Sequence, residues 1–302
     1  MSAHTTAVLQ GLFVVFLWAT SWVLIKVGLK ELPPLTFAGL RYMLAALCLL
    51  VVAVLRGDMK EVRSLPWAMW RRLLLLGLVA IAVTQGAGFV SLAYLPAVTT
   101  NLIWSFSSVG VALLGMIWLA ERPRPLQWAG ILLALVGAMV YFYPAAIPSG
   151  QIVGVVVAVV GVIANAAASL MGREVNRSKQ VSPLVVTLVS MGAGAPVMLA
   201  AGILIEDTPR ISVNGWLIIA WLAVVNTAFA FTLWNRTLRE LTAMESSIVN
   251  GTMLIWIPIL AVIFLGERIA PREVVGLAMA AVGTLIVQVR RNRSAQAKPG
   301  VE

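Results

Sequence analysis

The sequence predicts an all-α polytopic membrane protein, with ten transmembrane helices in two five-helix repeats of inverted topology. Three observations carry this expectation. The 302 residues are 61% hydrophobic and only 11% charged, whereas soluble domains carry about 25% charged residues. Apolar runs of about 20 residues, long enough to cross a bilayer as a helix, recur along the chain. A stretch of the first half also returns in the second half.

Each run has its own punctuation. The first, Ala7–Gly28, lacks a basic leader and a small-residue cleavage site before Lys30-Glu31-Leu32-Pro33, so it reads as a retained helix and not a signal peptide. Pro33-Pro34 opens the second, Leu35–Leu55, and Arg56-Gly57-Asp58 closes it. The third is Leu73–Leu92. Pro123 and Pro125 separate the fourth, Ala97–Leu119, from the fifth, Leu126–Tyr143. Pro148-Ser149-Gly150 then divides the halves. The sixth and seventh runs are Ile152–Met171 and Pro183–Ile205, followed by Asp207-Thr208-Pro209. Gly215–Trp234, Ala243–Leu265 and Glu273–Val289 complete the set. The expected domains are residues 7–143, residues 152–289 and a basic cytoplasmic tail, 290–302. Barrel strands would alternate polar and apolar residues, and these runs do not.

Charge fixes the expected orientation. When the 22 Lys and Arg are assigned to alternate loops, 16 fall on the face of the N-terminus and six on the other. The positive-inside rule then places both termini in the cytoplasm, and the expected location is the inner membrane of a prokaryote. Basic loops beside spans also account for the net charge of +10 without nucleic-acid binding. Single Cys and His residues, Cys48 and His4, exclude an intrachain disulfide and argue against a His- or Cys-ligated metal site. Asp58 and Asp207, the only aspartates, lie in polar connections. Neither enzyme chemistry nor a cofactor is expected.

The repeat is the most informative feature. Leu95–Ala138 aligns with Leu241–Thr284 at a shift of 146 residues without a gap, with twelve identities. They include Glu121-Arg122 with Glu267-Arg268, Pro125 with Pro271, Gly130 with Gly276 and Gly137 with Gly283. Five helices per copy is an odd number, so the copies must face opposite ways. Inverted copies are an architecture of secondary transporters, in which a midplane site opens to each side in turn. A duplicated membrane scaffold without transport is the alternative from another class.

The sequence resembles the EamA-type branch of the drug/metabolite transporter superfamily. The resemblance rests on Leu17-Trp18-Ala19 with Lys26, on Pro33-Pro34-Leu35 with Arg41-Tyr42-Met43-Leu44-Ala45, and on the two Glu-Arg loops. It implies export of amino acids, related metabolites or drugs through a cavity lined by the first, third, fourth, sixth, eighth and ninth helices. Multidrug export and metabolite uptake or exchange remain open.

Polar side chains in mid-span should turn away from lipid. The cavity candidates are therefore Gln85, Asn101, Ser105, Asn165, Asn226 and Asn250, with Trp18, Trp104 and Trp256 as stacking surfaces. Lys26 and Arg41, near the outer ends of their helices, either snorkel or close a gate. Glu245 in the first turn of the ninth helix caps it or takes part in coupling, with Arg236 or Arg239 as partner. Pro258 removes a backbone bond and is a hinge candidate. Without a deep acidic group, the expected partners are neutral or zwitterionic small molecules and the bilayer. Small-residue seams, Gly130-x₃-Ala134-x₃-Ala138 and Gly276-x₃-Ala280-x₃-Thr284, are available within one chain or between the subunits of a homodimer.

Overall fold

The computed structural model describes residues 3–119, 125–143, 148–207, 210–241 and 243–288. The Glu121-Arg122 loop and residues 290–302 lie outside them. The described residues form helices throughout, and nine of these helices are long and apolar enough to cross a bilayer. In order they are α1 (Ala3–Gly28), α2 (Pro34–Arg56), α3 (Trp67–Tyr94), α4 (Ala97–Ser105 and Ser107–Leu119) and α5 (Pro125–Phe142). After the Pro148 turn come α6 (Ile152–Arg177), α7 (Pro183–Ile205), α8 (Val213–Thr237) and α9 (Ala243–Gly251, Met253–Leu260 and Ala261–Leu265). A tenth long helix, α10 (Pro271–Gln288), carries Arg272 and Glu273 in its first turn.

Sequence punctuation explains the ends. Pro34 and Pro183 open α2 and α7, where a missing N–H and a fixed φ cost nothing. Gly57 (φ 76°) and Gly266 (φ 67°) end α2 and α9 in the left-handed conformation that favours glycine. Several helices extend past their apolar runs. α1 begins at Ala3 and takes in His4, α3 begins at Trp67, and α6 continues to Arg177. The apolar run marks the hydrocarbon layer only, whereas the helix continues through the headgroup region. Exposed apolar side chains such as Leu132 (61% exposed), Val156 (57%) and Phe264 (66%) form an apolar exterior suited to lipid.

Two glycine seams tie the bundle at its flanks. A Cβ on Gly130 would lie 2.7 Å from the Gly283 carbonyl oxygen, and one on Gly137 would lie 2.6 Å from the Ala280 nitrogen. Reciprocally, a Cβ on Gly276 would lie 2.6 Å from the Gly137 oxygen, and one on Gly283 2.5 Å from the Ala134 nitrogen. α5 and α10 are thus antiparallel and in backbone contact, so the small-residue seams of the sequence meet each other within one chain. α2 and α7 are paired in the same way. A Cβ on Gly39 would lie 2.5 Å from Leu199 Cα, and one on Gly202 would lie 2.6 Å from the Thr36 nitrogen.

The remaining helices form the middle. α1 packs against α8 and α9, while α6 packs against α3 and α4. The opening helix of each half therefore rests on the third and fourth helices of the other half.

Candidate functional site

Regular α-helix fails at matching places in the central helices. α3 is π-helical over Leu78–Gln85 and α8 over Val224–Phe229. α4 is interrupted at Phe106 and α9 at Thr252. Leu78 and Val224 are 146 residues apart, as are Phe106 and Thr252, which is the shift that aligns the repeats. At each interruption an i−3 bond replaces the usual i−4 bond: Phe106 N to Ile103 O (3.1 Å) and Thr252 N to Val249 O (3.2 Å).

Threonines absorb part of the backbone cost. Thr84 Oγ1 donates to Val79 O and Thr227 Oγ1 to Leu222 O, both at 2.7 Å and both five residues back. In hydrocarbon, irregular backbone survives only where such groups satisfy it or where it lines a cavity.

Around these irregular stretches lie buried polar groups that the protein leaves partly unpaired. Asn226 is fully buried on α8. Its Nδ2 donates to Leu17 O and to Thr20 Oγ1 on α1, yet Oδ1 has no partner. The indole N–H groups of Trp18 and Trp104 are likewise buried and unpaired. The Trp104 ring lies against α3 and α6, where a Cβ on Gly88 would be 3.5 Å from Cζ2 and one on Gly161 only 2.7 Å. Trp18 packs against Phe231 and Trp234 on α8 with tilted rings, at centroid distances of 5.0 and 5.3 Å.

Arg41 is 3% exposed. Its Nε donates to Thr227 Oγ1 at 2.7 Å, and its guanidinium lies 5.2 Å from the Tyr42 ring centre and 5.7 Å from that of Phe89.

The end of the bundle that holds Lys26 is closed by carboxylates on helix N-termini. Glu267 accepts from Ala97 N (2.7 Å) and Val98 N (3.1 Å) at the start of α4. Glu206 accepts from Leu35 N (2.8 Å) and Thr36 N (2.7 Å) at the start of α2. Glu31 accepts from Ser212 N (2.5 Å) and Ser212 Oγ (2.8 Å) ahead of α8. Pro33 and Pro96 stand at the N-cap positions of α2 and α4 and supply no side-chain cap, so remote carboxylates take the free amides. Lys26 grips the other side of the same α3–α4 hairpin, donating to Leu92 O (2.6 Å) and Leu95 O (2.7 Å). At the opposite end, Glu61 accepts from Ser182 N (2.6 Å) ahead of α7, and His4 meets Glu245 at 2.7 Å.

Comparison with known proteins gives the family. The model of the EamA-like transporter family matches residues 5–143 and, separately, residues 152–289. The chain belongs to the EamA-like transporter family. It is a multi-pass membrane protein of the drug/metabolite transporter superfamily, which carries out secondary transport of small organic molecules. It is similar to the "Uncharacterized inner membrane transporter YedA" of Escherichia coli K12, 26% identical and aligned over 92% of this chain and 88% of that protein. It is also similar to the "Probable amino-acid metabolite efflux pump" of Salmonella typhimurium LT2, 24% identical over 91% and 92% of the two chains. A solved crystal structure shares its fold, with a TM-score of 0.70, 19% identity and coverage of 93% of this chain and 97% of that one.

In this EamA-like transporter the sequence-derived candidates divide. Trp18, Trp104 and Asn226 each bury an unpaired polar atom, Asn226 beside Leu17 on α1 and Trp104 apart from them against α3 and α6. Asn101 is buried and donates to Met253 O (3.3 Å), just past the α9 interruption, while Ser105 donates to Leu102 O (2.7 Å) within α4. Gln85 and Asn165 are half-buried, with no side-chain hydrogen bond among the described residues. Asn250 is exposed, and Trp256, 37% exposed, packs edge-on against Phe16.

The gating candidates also fare differently. Lys26 reaches backbone carbonyls at the bundle end, whereas Arg41 is buried beside Thr227 and does not snorkel. Glu245 meets His4, and Arg239 Nη2 goes instead to Val181 O (2.8 Å). Pro258 lies inside a helical segment, and α9 is interrupted six residues earlier, at Thr252. The carboxylate clamps of Glu31, Glu206 and Glu267 were not singled out from sequence. For Glu206 and Glu267 the signal is the pair of helix starts, Pro33 and Pro96, with no residue able to cap them, whereas α8 beside Glu31 is capped by its own Ser212.

Proposed function

We propose that this EamA-like transporter exports amino acids or related neutral and zwitterionic metabolites from the cytoplasm by alternating access. Residues 7–143 and 152–289 act as inverted copies, with the His4 end in the cytoplasm and the Lys26 end outside. The observation that carries this reading is the matched irregularity of α3 with α8 and of α4 with α9 at the repeat shift. Paired, broken helices at corresponding positions of two halves mark the substrate site of inverted-repeat carriers. The antiparallel α5–α10 contact and the reciprocal packing of α1 and α6 support inversion. The unpaired groups of Trp18, Trp104 and Asn226 would contact substrate, together with Gln85, Asn101 and Asn165. Similarity to a protein named as a probable amino-acid metabolite efflux pump supports the substrate class.

Counterflow in proteoliposomes tests it. Vesicles loaded with one unlabelled amino acid should accumulate labelled substrate from outside, and Trp104→Ala or Gln85→Ala should depress that accumulation. Absence of counterflow for every amino acid and neutral metabolite, with the protein inserted, overturns the reading.

A further inference from the structure

Arg41 is the least explained charge in the bundle. It lies on the eighth residue of α2, about 10 Å along the helix axis from its start at 1.5 Å per residue. Its guanidinium runs sideways to Thr227 instead of outward to the interface. A guanidinium offers five N–H donors. Among the described residues, the bond from Nε to Thr227 Oγ1 is the one hydrogen bond it makes, and no carboxylate lies within 4.0 Å. The rings of Tyr42 and Phe89 lie within cation–π range, but neither brings a negative charge to the guanidinium.

A charge at this burial is costly unless something anionic or strongly polar compensates it. The described bundle holds no counter-ion for Arg41. An anion carried in from outside the protein would supply one.

We propose that Arg41 is the carboxylate anchor of the transported molecule, and that the substrates of this carrier are therefore carboxylate-bearing. This rests on the transport reading above and narrows it. The planar fork of a guanidinium matches a carboxylate through two parallel N–H···O bonds. Thr227 fixes the orientation of the fork by accepting from Nε, and its own hydroxyl proton is committed to Leu222 O. The preceding residue, Asn226, carries the unpaired Oδ1 on the same π-helical turn of α8, an acceptor suited to an ammonium group. Tyr42 and Phe89 flank the fork and exclude water from it.

The test pairs each amino acid with its own amide, which keeps the side chain and the amine and removes the carboxylate. Purified protein is assayed by counterflow and by thermal stabilisation with each member of a pair. Wild type should exchange, and be stabilised by, the acid in preference to its amide. Arg41→Gln should raise the half-saturating concentration of the acid at least about 10- to 100-fold, the value of one charged hydrogen bond, and leave that of the amide unchanged. Arg41→Lys keeps the charge without the fork, and should bind the acid more weakly while still preferring it. It keeps the proposal testable if the glutamine variant does not fold. Equal use of acid and amide by wild type, with robust counterflow, overturns the anchor and leaves the transport reading standing. Absence of both flux and stabilisation for every compound overturns both.

Discussion

Replacing Glu267 with glutamine should loosen the closed Lys26 end without unfolding the bundle. The Glu267 carboxylate holds the first two amides of α4, at 2.7 and 3.1 Å. Glutamine keeps one acceptor oxygen and turns an NH₂ group toward the other amide, so one charge-assisted bond and the charge at the helix N-terminus are both lost. Hydrogen bonds to charged groups contribute about 1.5–3 kcal/mol, which predicts a rise of about 10- to 100-fold in the open-to-closed ratio. Val98, 3% exposed and next to the clamp, is a suitable reporter. In a Cys48→Ser background, Val98→Cys should react with an impermeant maleimide from the Lys26 side at least about tenfold faster once Glu267→Gln is added. Glu273→Gln is the control. That carboxylate accepts from Ala270 N at 2.8 Å within its own helix start, and its loss should leave labelling unchanged. Equal labelling with and without Glu267, or an equal rise with Glu273→Gln, would refute the clamp.

Three further outcomes are expected. Gly137→Val should abolish folded yield in detergent, because its Cβ would fall 2.6 Å from the Ala280 backbone, whereas Gly192→Ala, with nothing within 4 Å, should match or exceed wild-type melting temperature. Trp104→Phe removes an unpaired buried N–H, so melting should be unchanged or higher. A raised half-saturating concentration in counterflow would mark that N–H as a substrate contact, and unchanged transport would leave it a packing residue. Hydrogen exchange should respond to substrate at Phe106 and Thr252, where the ladder is already interrupted, and stay slow along Gly130–Gly137 and Gly276–Gly283. Substrate-dependent exchange confined to the glycine seams would contradict this.

The positions of the helices were legible in the sequence because each obeys a local rule. Apolar run length gave the helix cores, and Pro34, Pro183, Gly57 and Gly266 gave ends. What escaped was whatever depends on partners distant in the chain. Glu267 reads as half of a repeated Glu-Arg loop, and nothing local indicates that it caps α4, some 170 residues earlier. Arg41 reads as a charge near a helix end that can snorkel. Only the position of Thr227 on α8 shows its side chain turned inward. Asn250 and Trp256 illustrate the converse: mid-span polarity or aromaticity names a residue without naming the face of the helix it occupies.

The two kinds of contact divide the molecule into parts that hold and parts that can move. In the α5–α10 and α2–α7 seams backbone meets backbone, and separating them would forfeit close packing along much of each helix with no solvent to replace it. The clamps at the Lys26 end are different. Each is one side chain on two donors or acceptors at the membrane interface, where water can take over the freed groups, so the cost of release is a few kcal/mol at most. Conformational exchange therefore falls to the six central helices. Of these, α3, α4, α8 and α9 carry the π-turns and interruptions that let a helix bend without breaking an intact ladder. Under the proposed function, the substrate path and the hinges would then coincide. A molecule anchored at Arg41 would sit against the irregular turn of α8 that carries Thr227, so its binding would bias the geometry of that turn directly.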